Sequence, residues 1–160
     1  MPIDMPIARG ATAPDFTLPN QFGEEVRLSE RCARTPVALV FFPLAFSHTC
    51  EGELCELRDN IEIFRAQGVE LIGISVDSKH ALRAWAEHER FDFDLLADFW
   101  PHGAVAQRYG VFRPERGFAN RATFLLDGTG VVRSRIITDP GRPRSLGEYR
   151  RALEELSATA

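Results

Sequence analysis

The most distinctive chemistry in this sequence belongs to its three cysteines, Cys32, Cys50 and Cys55. Three is too few, and odd in number, for the disulfide framework of a small secreted domain. In a reducing compartment, cysteines that are not core filler tend to be nucleophiles, redox centres or metal ligands. Cys50 stands apart by position. It follows the apolar run Val37 to Phe42 and opens a stretch where Leu54, Leu57, Ile61 and Phe64 recur at three-four spacing, which puts it in the first turn of an amphipathic helix. Unpaired backbone N–H groups and the helix dipole favour an anion there and lower the thiol pKa, and the thiolate is the reactive form. Pro43 ends the strand and shapes the intervening loop, and the Ser47 hydroxyl can donate to the sulfur or both donate and accept toward a polar atom beside it. The plainer alternative makes Pro43 a strand stop, Ser47 a helix cap and Cys50 core filler.

The elements that must position Cys50 follow from periodicity and punctuation. Asp15–Leu18 and Glu25–Leu28, joined through Asn20 and Gly23, predict a small hairpin. Val37–Phe42 is apolar on both faces, as a central strand covered by helices must be. The helix from about Cys50 to Gln67 is stopped by Gly68. Val69–Val76 predicts a second buried strand, and a helix runs from an N-cap at Ser78 to about Glu89. Phe93–Ala97 is a short strand, and His102–Tyr109 a short helix closed by Gly110. Ala122–Leu126 and Val131–Ile137 flank Asp127-Gly128-Thr129-Gly130 as a hairpin, and a last helix spans Ser145 to about Leu156. Cys32 falls in a polar loop before the central strand and carries no assigned role, with an alternate resolving or intermolecular thiol left open. With no internal repeat or linker, residues 1–160 are expected to form one α/β domain, a central mixed sheet flanked by helices with an N-terminal β-hairpin, in the thioredoxin-like order.

The segment Phe41-Phe42-Pro43-Leu44-Ala45-Phe46-Ser47-His48-Thr49-Cys50 resembles the signature of the peroxiredoxins: a proline, a serine or threonine four positions later, and the peroxidatic cysteine three beyond that. The resemblance extends through Ala13-Pro14-Asp15-Phe16-Thr17-Leu18 to Tyr109-Gly110-Val111. It is nearest the alkyl hydroperoxide reductase E type in Pro43-Leu44-Ala45-Phe46 and in Phe99-Trp100-Pro101-His102-Gly103-Ala104-Val105. It implies a thiol peroxidase acting on hydrogen peroxide and organic hydroperoxides through a Cys50 sulfenic acid. O–O cleavage develops negative charge that a fixed guanidinium can stabilise, and the family places an arginine just before a Thr-Phe strand, here Arg121 before Thr123-Phe124. Catalytic Cys50, Ser47, Pro43 and Arg121 follow, with Ser47, Cys50 and Arg121 contacting substrate. Glu53 matches a family glutamate, although an acid in a first helical turn is favourable for its own sake.

Cys55 departs from the alkyl hydroperoxide reductase E pattern. The Cys-x4-Cys spacing is similar to the bacterioferritin-comigratory or plant Q type, which implies that Cys55 resolves Cys50 as an intramolecular disulfide. Residues five apart in a helix rise ~7.5 Å and point ~140° apart, so such a bond requires the helix start to unwind. The alternative leaves Cys55 as a buried helix residue. Recycling by a thioredoxin, a glutaredoxin-like protein or a low-molecular-weight thiol is implied, with no cofactor, no metal, flavin or haem, and with monomer and homodimer both open.

Composition is consistent with this reading. At 44% hydrophobic and 26% charged residues the chain matches an ordinary packed domain. A net charge of −4 with scattered basic residues argues against nucleic acid. The apolar run around Pro43 is too short to cross a bilayer, and residues 1–12 lack the layout of a secretory signal, so a cytoplasmic protein without membrane attachment is expected. A thioredoxin-type disulfide reductase would need Cys-x-x-Cys at the helix start, which this sequence lacks. A zinc module built on Cys32, His48, Cys50 and Cys55 would have no common ligand spacing. The Phe99-Trp100-Pro101 tract is expected as core and loop packing.

Overall fold

The computed structural model describes residues 5–158, and of Thr49, Cys50 and Glu51 the backbone alone. The Cys50 side chain therefore lies outside the described residues. The first elements are β1 (Thr17–Pro19) and β2 (Glu25–Arg27), α1 (Leu28–Arg34), β3 (Val37–Phe41), α2 (His48–Asp59) and α3 (Glu62–Arg65). They are followed by β4 (Glu70–Ser75), α4 (Lys79–Glu89), β5 (Asp94–Ala97) and α5 (Ala104–Arg108). The chain continues through β6 (Phe112–Arg113), β7 (Phe118–Ala119), β8 (Arg121–Leu126), β9 (Val132–Thr138) and α6 (Leu146–Ala158).

A five-stranded sheet in the order β5-β4-β3-β8-β9 organises these elements. The β3–β4 and β4–β5 pairs are parallel, and β3–β8 and β8–β9 antiparallel, so the sheet is mixed. The expected central strand is β3, and its alternation explains why it must be apolar throughout. Val37, Leu39 and Phe41 enter one buried cluster with Ile72, Ile74, Tyr109 and Phe124. Ala38, Val40 and the following Phe42 enter the other, with Leu54, Leu57, Leu82, Trp85 and Leu153 from α2, α4 and α6. Side chains of successive strand residues point to opposite faces, so burying both faces removes any position for a polar residue. The N-terminal hairpin pairs Leu18 with Val26 as a separate two-stranded ribbon.

Punctuation residues act as anticipated in several places. The Ser78 hydroxyl accepts a hydrogen bond from the Ala81 N–H and caps α4. Gly110, at φ 72°, closes α5, and a Cβ there would come within 2.2 Å of the Met5 carbonyl oxygen.

Three sequence expectations are corrected. Cys32 is not in a polar loop: it lies in α1 and is buried beside Leu28. The helix drawn from Cys50 to Gln67 begins at His48 and breaks at Asn60, whose side-chain amide donates to the Glu56 carbonyl, and α3 follows as a separate turn. Phe99 and Trp100 are not core residues but exposed, Trp100 at 80%. Among the described residues no helix is long and apolar enough to cross a membrane.

Candidate active site

The sheet register brings sequence-distant residues to one place. Phe41, the last residue of β3, pairs with Ala122, so Arg121 begins β8 at the edge where the chain leaves β3 for Pro43. Arg121 in turn pairs with Thr138 at the end of β9. Pro43 is buried, and the loop it opens is tied down by Asp77, whose carboxylate accepts from the Ala45 N–H at 2.8 Å and from the Ser75 hydroxyl at 2.6 Å. Phe46 takes φ 64°, a left-handed conformation unusual for an aromatic residue, and its ring leans toward Trp85 and His88. Strained backbone of this kind concentrates where a loop is held for function.

Ser47 is the N-cap of α2 by backbone geometry, yet its hydroxyl donates to the Leu44 carbonyl at 2.9 Å rather than capping the helix. His48, Thr49 and Cys50 are the first three helical residues, where backbone N–H groups lack intrahelical partners. One turn on from Cys50, Glu53 is almost fully buried. Its carboxylate accepts from Arg121 Nη1 at 2.9 Å, Arg144 Nη2 at 2.6 Å, Arg144 Nε at 2.8 Å and the Arg144 backbone N–H at 2.6 Å. Arg121 Nε also donates to the Pro140 carbonyl at 2.6 Å, and Arg144 Nη1 to the Thr123 hydroxyl at 2.9 Å, which itself bonds Tyr149. Burial alone would push the Glu53 carboxyl up, but hydrogen bonds and charge from Arg144, then charge from Arg121, outweigh it and hold the group below its usual range. Tyr149 is pushed up to about 12 by burial and is a neutral phenol.

Two guanidiniums share one buried carboxylate in this triad. From sequence, Arg121 is expected just before the Thr123-Phe124 strand as the charge-stabilising arginine and Glu53 carries little weight; Arg144 has no signal there. A single arginine in Pro140-Gly141-Arg142-Pro143-Arg144 has no spacing that marks it, and only the fold brings it to Glu53.

Cys55 occupies the same helix but a different environment. Its Sγ donates to Glu89 Oε2 at 2.8 Å, and Arg58 and His88 also approach Glu89. Burial and then the Glu89 hydrogen bond push the Cys55 thiol up to about 12, against an opposing pull from Arg58. Cys32 is pushed up to about 11, first by burial and then by Asp127, and lies in α1 rather than at the α2 start.

The mixed sheet is thioredoxin-like, Cys50 lies in the first helical turn after its central strand, and a buried arginine pair grips Glu53 one turn further on; the family and its members make the chain a thiol-dependent peroxidase. The chain belongs to the AhpC/TSA family, whose model matches residues 9–135. Among its relatives is alkyl hydroperoxide reductase E of Mycobacterium tuberculosis, 45% identical over 149 residues, 93% of this chain and 97% of that protein. Peroxiredoxin-2 of Mus musculus is 33% identical over 160 residues, covering 94% of this chain and 79% of its own. Of solved structures, peroxidoxin BcpB from Mycobacterium tuberculosis superposes with a TM-score of 0.82 at 33% identity, covering 98% of this chain and 99% of its own. The reduced 2-Cys peroxiredoxin of Plasmodium vivax superposes at 0.85 and 27% identity, over 96% and 83%.

Proposed function

We propose that this peroxidase reduces hydrogen peroxide and organic hydroperoxides with Cys50 as its nucleophile and Arg121 as the group that stabilises charge on the reacting oxygens. The Cys50 thiolate attacks one peroxide oxygen, the O–O bond breaks, and the departing oxygen takes a proton to leave as water or an alcohol. Cys50 is left as a sulfenic acid. A fixed guanidinium contributes here because it is already oriented and always charged, so no reorganisation accompanies the reaction. The supporting observation is the Arg121–Glu53–Arg144 triad, which holds two buried guanidiniums in fixed orientation on a carboxylate one helical turn from Cys50. Pro43 shapes the loop that separates strand from nucleophile, and Ser47 contacts the substrate once its hydroxyl turns from Leu44. Cys50→Ser abolishes peroxide consumption on this reading, and more than a trace of turnover in that variant rejects it.

In the same proposal Cys55 condenses with the sulfenic acid: the S–S bond forms, the S–O and S–H bonds break, and water leaves. An external dithiol, of thioredoxin or glutaredoxin-like type, or a small thiol then reopens the disulfide by exchange in the cytoplasm. One observation favours a second reading, in which an external thiol attacks Cys50 directly. Cys55 sits in continuous helix and hydrogen-bonds to Glu89, pointing its proton away to another element. Peptide mapping after one equivalent of peroxide separates the two: a Cys50–Cys55 link supports resolution, and a lasting Cys50 sulfenic acid supports the one-cysteine route.

A further inference from the structure

Glu89 is the last residue of α4. A carboxylate at a helix C-terminus opposes the dipole and is unfavourable there unless other groups compensate. The compensating groups converge on it from two elements. From α2, Cys55 Sγ donates to Oε2 at 2.8 Å, and Arg58 lies 3.7 Å from the same oxygen and also donates to the Glu89 backbone carbonyl. From α4, His88 Nδ1 stands 3.0 Å from Oε1. Asp59, paired with Arg58, is a further charged neighbour of the thiol among the described residues. Cys55 is thus gripped at the point where α2 crosses the end of α4, and its proton is held by a charged acceptor.

We propose that Glu89 is a positioning residue that guards Cys55, holding it protonated and docked on α4 so that it reaches a Cys50 sulfenic acid only after leaving this contact. The proposal rests on the reading that Cys55 resolves Cys50. Two costs then precede disulfide formation: unwinding of the α2 start, because residues five apart cannot bridge in regular helix, and release of the thiol from a charge-assisted hydrogen bond. A negative charge beside a thiol disfavours its thiolate, in the same direction as the upward shift of Cys55. The guard therefore lengthens the life of the sulfenic acid, during which an external thiol or a second peroxide molecule can reach Cys50.

Glu89→Gln keeps the shape and removes the charge. If the thiol pKa falls by one unit, the thiolate fraction below that pKa rises about tenfold, and the accompanying loss of nucleophilicity leaves a net gain of roughly three- to fourfold. The test uses the full reduced chain, wild type and Glu89→Gln, with two readouts. One is the pH profile of Cys55 alkylation by iodoacetamide, followed by peptide mapping. The other is the time course of the Cys50–Cys55 disulfide after one equivalent of hydrogen peroxide. The guard predicts an alkylation midpoint at lower pH in the variant and disulfide formation at least threefold faster, with the initial consumption of peroxide unaltered. An unshifted midpoint or a disulfide that forms no faster overturns it, and a slower one shows Glu89 assisting Cys55 instead. A lasting sulfenic acid in the wild type overturns the resolving role and the guard with it. That failure is distinguishable because it appears without the substitution.

Discussion

Glu53→Gln tests the buried triad that supports the site. The wild-type carboxylate receives four hydrogen bonds, three from guanidinium nitrogens and one from the Arg144 backbone, and both ion-paired arginine side chains are 2% exposed or less. An amide keeps one acceptor oxygen but turns its NH2 donors toward guanidinium donors and removes the Glu53 charge from two buried cations. Removing one partner from a buried pair costs about 3–5 kcal/mol, and the retained acceptor puts this variant near the lower end. At ~3 kcal/mol, a chain of this length loses roughly 6–12 °C in Tm. Thermal unfolding followed by circular dichroism, with wild type and variant at the same neutral pH and ionic strength, gives the number directly. A loss below 2 °C would refute the reasoning, because it would mean that the two arginines do not depend on this carboxylate.

Three further outcomes follow from the same geometry. The folded-state pKa of Glu53 is depressed, so its contribution to stability is fully present above its unfolded value of about 4.3 and is lost as pH falls through the depressed value; urea midpoints between pH 6 and pH 3 should therefore fall more steeply in wild type than in Glu53→Gln. Asp98 runs the other way: burial raises it to about 6 although it caps α5 through the Val105 and Ala106 N–H groups, so its contribution is lost as pH rises from about 3.9 to 6, and Asp98→Asn should remove that slope from a urea titration. Arg121→Ala should slow sulfenic acid formation by about 100-fold or more while Arg121→Lys recovers part, since lysine keeps the charge but not the fork; an unaltered single-turnover rate in Arg121→Ala would assign the role to another group.

What the sequence made legible is what periodicity encodes. The central strand, the Ser78-capped helix and the hairpin through Asp127–Gly130 each have a repeat of apolar residues bounded by a residue with one structural use. Helix α1 was not legible because its seven residues bury Leu28 and Cys32 alone among polar neighbours, and no side-chain cap marks its start. The β6–β7 hairpin, with two residues per strand, is too short to show alternation. The break at Asn60 escaped because Ile61 and Phe64 continue the apolar stripe across it. At the candidate site, apolar periodicity marked the helix start that carries Cys50 and the strand that Arg121 opens, whereas the roles proposed for Pro43, Ser47, Cys50 and Arg121 come from the family resemblance. Arg144 was not, since its role depends on the end of β9 returning the chain to α2. Glu53 carries a favourable helix-start signal that hides its use as the shared counter-ion of two arginines.

The most direct measurement locates the oxygen that peroxide delivers. Reduced Cys55→Ser protein is mixed with one equivalent of hydrogen peroxide, trapped with a sulfenic-acid reagent and mapped by mass spectrometry. The account predicts one equivalent of the trapping reagent bound to sulfur on the peptide carrying Cys50, with the sulfenic oxygen lost as water, at a yield matching the peroxide consumed. Trapping on Cys32 instead, or consumption of peroxide with Cys50 left reduced, would contradict it.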